Sequence, residues 1–117
     1  LTLAVFKVDD PHQGAAVYTD SDRRIKKIIE KPKKGTSTTN LNSAGIYIAR
    51  PSLFPHLNAL LPTERGEYEL PDAISALIQT EGDARAYTLD GWWADVGRPD
   101  DLDRMNQLLK QRGKPDA

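Results

Sequence analysis

The sequence contains no cysteine. That absence excludes a disulfide framework and thiolate metal sites, and it is compatible with a reducing compartment. No apolar run approaches the roughly 20 residues that a membrane-spanning helix requires, and no charged start followed by an apolar stretch marks an export signal. A cytoplasmic setting without a membrane partner is therefore expected. Neither sign of charge dominates: 16 basic and 17 acidic residues leave a net charge of −1, so no global field draws the chain to nucleic acid or to an anionic surface. Any anion that binds must be held by a local arrangement. Histidine is scarce, and His12 and His56 have no second histidine at ligand spacing, so both read as surface or hydrogen-bonded residues. No Ser, His and Asp arrangement is present, and "NSAG" lacks the strand-turn-helix context of a nucleophile elbow.

What is present fits one compact domain: 117 residues with 38% hydrophobic content can bury a modest core. Leu3 to Val8 are apolar except for Lys7 and read as a strand buried on both faces, ended by Asp9, Asp10 and Pro11. "AAVYT" and "RIKKIIE" flank "DSDR", whose Asp and Ser can bond their own backbone, so a hairpin is predicted. Strict alternation in its second arm puts Ile25, Lys27 and Ile29 on one face and Lys26, Ile28 and Glu30 on the other. Lys33 to Asn42 is aperiodic and rich in hydroxyls, hence a loop, and "SAGIYIAR" reads as the next strand. The chain opens at Leu1 already inside an apolar run, which suggests a part of something longer.

Helical spacing appears in three places. Ser52 is placed as the cap of a helix lined by Leu53, Leu57, Leu60 and Leu61, with Pro55 in the first turn and Pro62 as terminator. A second helix begins near Pro71 and Asp72, carries Ala73, Ile74, Leu77 and Ile78 on one side, and stops at Gly82. A third starts at Pro99 and turns Leu102, Met105, Leu108 and Leu109 inward until Gly113, leaving 113–117 as a frayed tail. Between the last two helices "ARAYTLDGWWADV" joins two short apolar runs through Asp90-Gly91, a strong hairpin signal. Trp92 and Trp93, as strand neighbours, are expected to split, one ring in the core and one partly exposed. The interleaving predicts an α/β fold, a mixed sheet flanked by helices.

Two stretches carry chemistry beyond packing. Glu30 and Lys31 fall where a strand meets the loop that opens with Pro32, and strand ends in α/β sheets are where ligands collect. A lysine there suits a phosphate, and a carboxylate beside it can accept from hydroxyls. The nearby Lys33 and Lys34 read as a solvated loop. Asp95 has two readings on its residues alone: a structural acid near the start of the third helix, where the macrodipole favours negative charge, or a ligand.

The order of "IIEKP", "NSAGIYIARPSLF", "ERGEYELPDAI" and "WWADVGRPDDL" resembles the second half of the catalytic domain of sugar-1-phosphate nucleotidyltransferases, the NDP-sugar pyrophosphorylases. The resemblance runs from Leu3 to roughly Leu109. It implies the second half of a Rossmann-like nucleotidyltransferase domain over residues 1–112, with a sugar 1-phosphate and a nucleoside triphosphate as substrates and Mg²⁺ as cofactor. In similar enzymes the lysine of the Glu-Lys-Pro segment binds the sugar phosphate and the preceding glutamate contacts sugar hydroxyls, which points to Lys31 and Glu30. Gly14 matches a glycine whose backbone meets the sugar; Ser43 and Ala44, with Asn42 one step away, occupy the place of an asparagine or threonine beside it. Arg65 matches an arginine that approaches the phosphate, and Asp95 matches the magnesium ligand of the Trp-x-Asp-x-Gly segment. The family's glycine-rich triphosphate loop and second magnesium aspartate have no counterpart here, so the chain alone is expected to be inactive. The alternative is a non-catalytic module that binds a sugar phosphate or a subunit. Arg98 stands where a Ser or Thr precedes the helical proline, which weakens the cap; whether its cation tunes Asp95 or points away is left open by the sequence. Exposed sheet edges would favour self-association.

Overall fold

The computed structural model describes residues 1–113; most of the tail expected at 113–117 lies outside the described residues. Strands β1 (Thr2–Lys7), β2 (Ala15–Thr19), β3 (Ile25–Glu30), β4 (Leu41–Ile48) and β5 (Arg85–Thr88) form a five-stranded mixed sheet in the order β3-β2-β4-β1-β5. Only β1 and β5 run parallel; the other pairs are antiparallel. Helices α1 (Leu53–Asn58), α2 (Leu70–Glu81) and α3 (Pro99–Arg112) complete the chain, with a short 3-10 turn at Pro11–Gln13. The α/β expectation therefore holds.

The core lies between one sheet face and α1 and α2. Leu3, Val5, Ala15, Val17, Ile25 and Ile28 from the strands meet Leu53, Ala73, Ile74 and Leu77 from the helices. Leu3, Ala4 and Val5 are all buried, as a strand covered on both faces requires. The "DSDR" turn forms as its residues dictate: Asp20 Oδ1 accepts the amides of Asp22 and Arg24 at 2.9 and 3.0 Å, and Arg23 takes φ 62°. Alternation in β3 fails, however. Tyr18 pairs with Lys27 but Thr19 pairs with Ile25, and this bulge brings Ile25 and Ile28 to the same buried face while Ile29 stays exposed.

Four helix and strand expectations are corrected. Ser52 has helical dihedrals and does not cap α1; its hydroxyl donates to Glu81 Oε2 on α2 at 3.1 Å. The helix ends at Asn58, where the Leu60 amide turns back to the Leu57 carbonyl, so Leu61 is exposed. The Asp90-Gly91 hairpin is absent. The outer edge of β5 is already partly taken: the Ile25 amide donates to the Ala84 carbonyl at 2.8 Å, the Ala86 amide to the Arg23 carbonyl at 2.9 Å, and Arg24 bridges Arg85. The far end of the β2–β3 hairpin thus curls round to β5, and residues 89–98 leave the sheet as irregular chain. Finally, only Met105 of the expected inward row on α3 is buried; Leu102 and Leu109 are exposed. By contrast α2 forms as read, with Pro71 and Asp72 in its first turn and Gly82 closing it at φ 65°.

Candidate functional site

The site grows from the end of the β2–β3 hairpin. Ala15 pairs with Glu30, and the Lys31 amide donates to the Gly14 carbonyl at 2.8 Å, so Gly14, Glu30 and Lys31 sit side by side. Ala16 also pairs with Asn42, and Asn42 with Phe6 near the carboxyl end of β1. The group therefore stands beside the carboxyl ends of the parallel strands β1 and β5, where an α/β sheet offers room for ligands. Lys31 is exposed and adopts φ 42°, a left-handed conformation that non-glycine residues take at a cost. Asp10 Oδ2 accepts the Gly35 amide at 2.8 Å and tethers the loop after Lys31 to the turn before Gly14. His12 Nδ1 lies 3.5 Å from Asp10 Oδ2 and makes no hydrogen bond among the described residues, and Lys33 and Lys34 are a solvated loop as read.

Across from Glu30 lies the segment that leads into α2. Thr63 and Glu67 close a tight turn, Gly66 at its tip takes φ 73°, and Arg65 donates through Nε at 3.1 Å and through Nη2 to Glu69 Oε1. Burial, then the neighbouring Glu69 carboxylate, push the Glu30 carboxyl above its ordinary pKa, while Lys31 and Arg65 pull it back. Lys31 adjoins Glu30 in the chain, and the turn that carries Arg65 leads into α2, which packs against β3.

The remaining expected residues are placed differently. Ser43 pairs with Val5 and, like Glu30 opposite Ala15, lies on the face that carries the core. Its hydroxyl is already engaged, 3.2 Å from the Tyr47 hydroxyl and accepting the Gly45 amide at 3.1 Å. Asn42 lies on the opposite face, buried, with Oδ1 unpaired. A Cβ at Gly14 would fall 2.6 Å from that oxygen, so only glycine fits there without a shift. Asp95 is exposed. Trp93, two residues earlier, stacks on Phe6 at 4.1 Å between ring centroids, and Trp92 is about half exposed under the Arg112 guanidinium. Neither ring enters the core.

Arg98 does not approach Asp95 closely enough for an ion pair among the described residues. It is the residue before α3, and its amide donates to Asp101 Oδ2 at 3.1 Å; a guanidinium has no acceptor, so the reciprocal half of a capping box cannot form. Asp95 makes no ion pair among the described residues, and a Cβ at Gly97 would fall 3.3 Å from its Oδ2, closer than a side chain fits without a shift. Mg²⁺ takes one or two carboxylates with phosphate oxygens and water, and Asp95 alone fits one such position. No group of three metal-ligating side chains occurs among the described residues.

Two residues at this site went unread in the sequence. Asn42 was noticed only as a neighbour of Ser43, and Glu69 gave no signal, because its partnership with Arg65 depends on the turn between them.

The fold is a mixed α/β sheet in which Glu30 and Lys31, at the end of β3, stand beside the carboxyl ends of the parallel pair β1 and β5. Residues 1–112 match the family model described as nucleotidyl transferase, and the chain belongs to that family. It is 34% identical over 117 residues to the low-salt glycan biosynthesis nucleotidyltransferase Agl11 of Haloferax volcanii, covering 95% of this chain and 32% of that protein. It is 40% identical over 100 residues to the bifunctional protein GlmU of Methanococcus maripaludis, covering 86% of this chain and 24% of that one. Among solved structures, the chain superposes on a protein of Bacillus anthracis assigned as a glucose-1-phosphate thymidylyltransferase, solved with sucrose. The TM-score is 0.74 at 30% identity, over 92% of this chain and 42% of that one. A UDP-glucose pyrophosphorylase complexed with UDP-glucose shares the fold with a TM-score of 0.78 at 23% identity, over 95% of this chain and 44% of that one. The chain therefore spans between 24% and 44% of the length of these relatives.

Proposed function

We propose that this chain supplies the sugar-phosphate side of a sugar-1-phosphate nucleotidyltransferase, and that the nucleoside triphosphate is held by residues outside these 117. The observation that carries the reading is the junction of Gly14, Glu30 and Lys31 through the β2–β3 register and the Lys31 amide. In the reaction a sugar-phosphate oxygen attacks the α-phosphorus of the triphosphate and pyrophosphate leaves. Lys31 neutralises the phosphate of the nucleophile, Arg65 adds positive charge from the facing turn, and Glu30 accepts from sugar hydroxyls. Positioning and charge neutralisation carry such transfers without a covalent intermediate. Asp95 would hold Mg²⁺, which supplies charge neutralisation at the triphosphate when bound. Sugar 1-phosphate and nucleoside triphosphate are the small-molecule partners of this reading.

The assay is pyrophosphate release from a nucleoside triphosphate and glucose 1-phosphate. The chain alone is expected to release none, and a version extended to include a triphosphate-binding segment is expected to be active. Asp95→Asn in that version should lower turnover by about 100-fold or more. Activity of the chain alone, or full activity of the Asp95→Asn version, would overturn the reading.

A further inference from the structure

The Glu69 carboxylate gathers three donors on one oxygen. Arg65 Nε and Nη2 both reach Oε1, and the Thr63 hydroxyl approaches the same atom at 3.4 Å. A role in folding the turn does not account for this. The turn is closed by its own backbone, the Thr63 amide on the Glu67 carbonyl at 2.9 Å and the Gly66 amide on the Thr63 carbonyl at 2.8 Å. Helix capping does not account for it either, since Glu69 is the residue before α2 and its side chain makes no capping bond. What the contacts do fix is one edge of the Arg65 guanidinium. A guanidinium carries five donors in a rigid plane, so two nitrogens held by a carboxylate leave Nη1 and its two protons aimed away from that carboxylate. The Glu69 side chain is 13% exposed and that of Arg65 40%, an enclosed anchor beneath a reachable cation. Glu69 immediately precedes α2, and α2 packs against β3, the strand that ends in Glu30.

We propose that Glu69 is a positioning residue that holds Arg65 by one guanidinium edge and presents the other to the phosphate of a bound sugar 1-phosphate. This rests on the reading of Lys31 and Glu30 given above. An arginine on a surface turn samples many rotamers, and each must be given up on binding; an arginine already fixed by a carboxylate has fewer to lose. Glu69 therefore acts on phosphate affinity through Arg65.

The experiment is calorimetric titration of this chain with glucose 1-phosphate, with melting temperature recorded for every variant. Arg65→Ala and Glu69→Ala are each expected to weaken binding about tenfold, and the double variant to bind no worse than Arg65→Ala alone. Glu69→Gln keeps an acceptor oxygen for Arg65 and should bind within about threefold of the native chain. In nitrogen-15 spectra the Arg65 Nε proton should be protected from exchange in the native chain and in Glu69→Gln, and unprotected in Glu69→Ala. Additive losses in the double variant, or native affinity in Glu69→Ala, would overturn the proposal. If Lys31→Ala abolishes binding while Arg65→Ala binds as tightly as the native chain, the site stands and the role of Glu69 fails. If the native chain does not bind, both fail together.

Discussion

Lys31 spends backbone strain to stand where it does, at φ 42° one residue beyond β3. A non-glycine residue in that region costs on the order of 1 kcal/mol, and the adjoining Glu30 adds a second local cost. Burial and the Glu69 carboxylate raise the Glu30 pKa in the folded chain, so ionising Glu30 opposes folding. The sign follows: the penalty is absent below the unfolded glutamate value of about 4.3 and complete once pH exceeds the raised folded value. Glu30→Gln should therefore be more stable than the native chain in urea at pH 7, with the gap closing as pH falls to about 4. An unchanged gap across that range would show that Glu30 is not desolvated. At this scale the sequence was legible in placing Glu30 and Lys31 where a strand meets a loop, as the structure shows. It was illegible where a role depends on which way a neighbour turns, as with Ser43, whose hydroxyl is engaged by Tyr47, and Asn42, which carries the unpaired amide oxygen.

Elements were legible when their own signals agreed. Helix α2 has a proline start, an acidic first turn, helical apolar spacing and a left-handed glycine stop, and it forms over Leu70–Glu81. Gly82 at φ 65° should therefore resist substitution: Gly82→Ala is expected to destabilise the chain by about 1 kcal/mol, read as a lower urea midpoint. A midpoint at or above the native one would contradict the account of how α2 ends. Elements were misread where a distant strand decided the outcome. Asp90-Gly91 has the right turn residues, but the strand beside it is met by Arg23, Arg24 and Ile25 from the hairpin far earlier in the chain, and Trp93 stacks on Phe6 instead of pairing. The bulge opposite Tyr18 is another such case, since alternation within β3 alone cannot reveal a slip in pairing.

At the scale of the whole molecule the shape is open. The radius of gyration is 15.8 Å, against about 13 Å for a compact chain of this length. The exposed apolar side chains include Leu102 and Leu109 on α3, Val96 and Trp92 on the approach to it, and Tyr87 on β5. Apolar surface of this kind favours association, so sedimentation of the chain should show mass rising with concentration, and Leu102→Glu should reduce it. A single monomeric species at every concentration would contradict this. The fold class was legible from the interleaving of strands and helices, whereas the uncovered face of α3 was not, because helical spacing marks an apolar side without saying what covers it. Binding of a sugar phosphate at the end of the β2–β3 hairpin through Lys31 is measured by calorimetric titration with glucose 1-phosphate. Saturable binding by the native chain, lost in Lys31→Ala without a fall in melting temperature, is the predicted result; equal binding by both chains, or none by the native one, would contradict it.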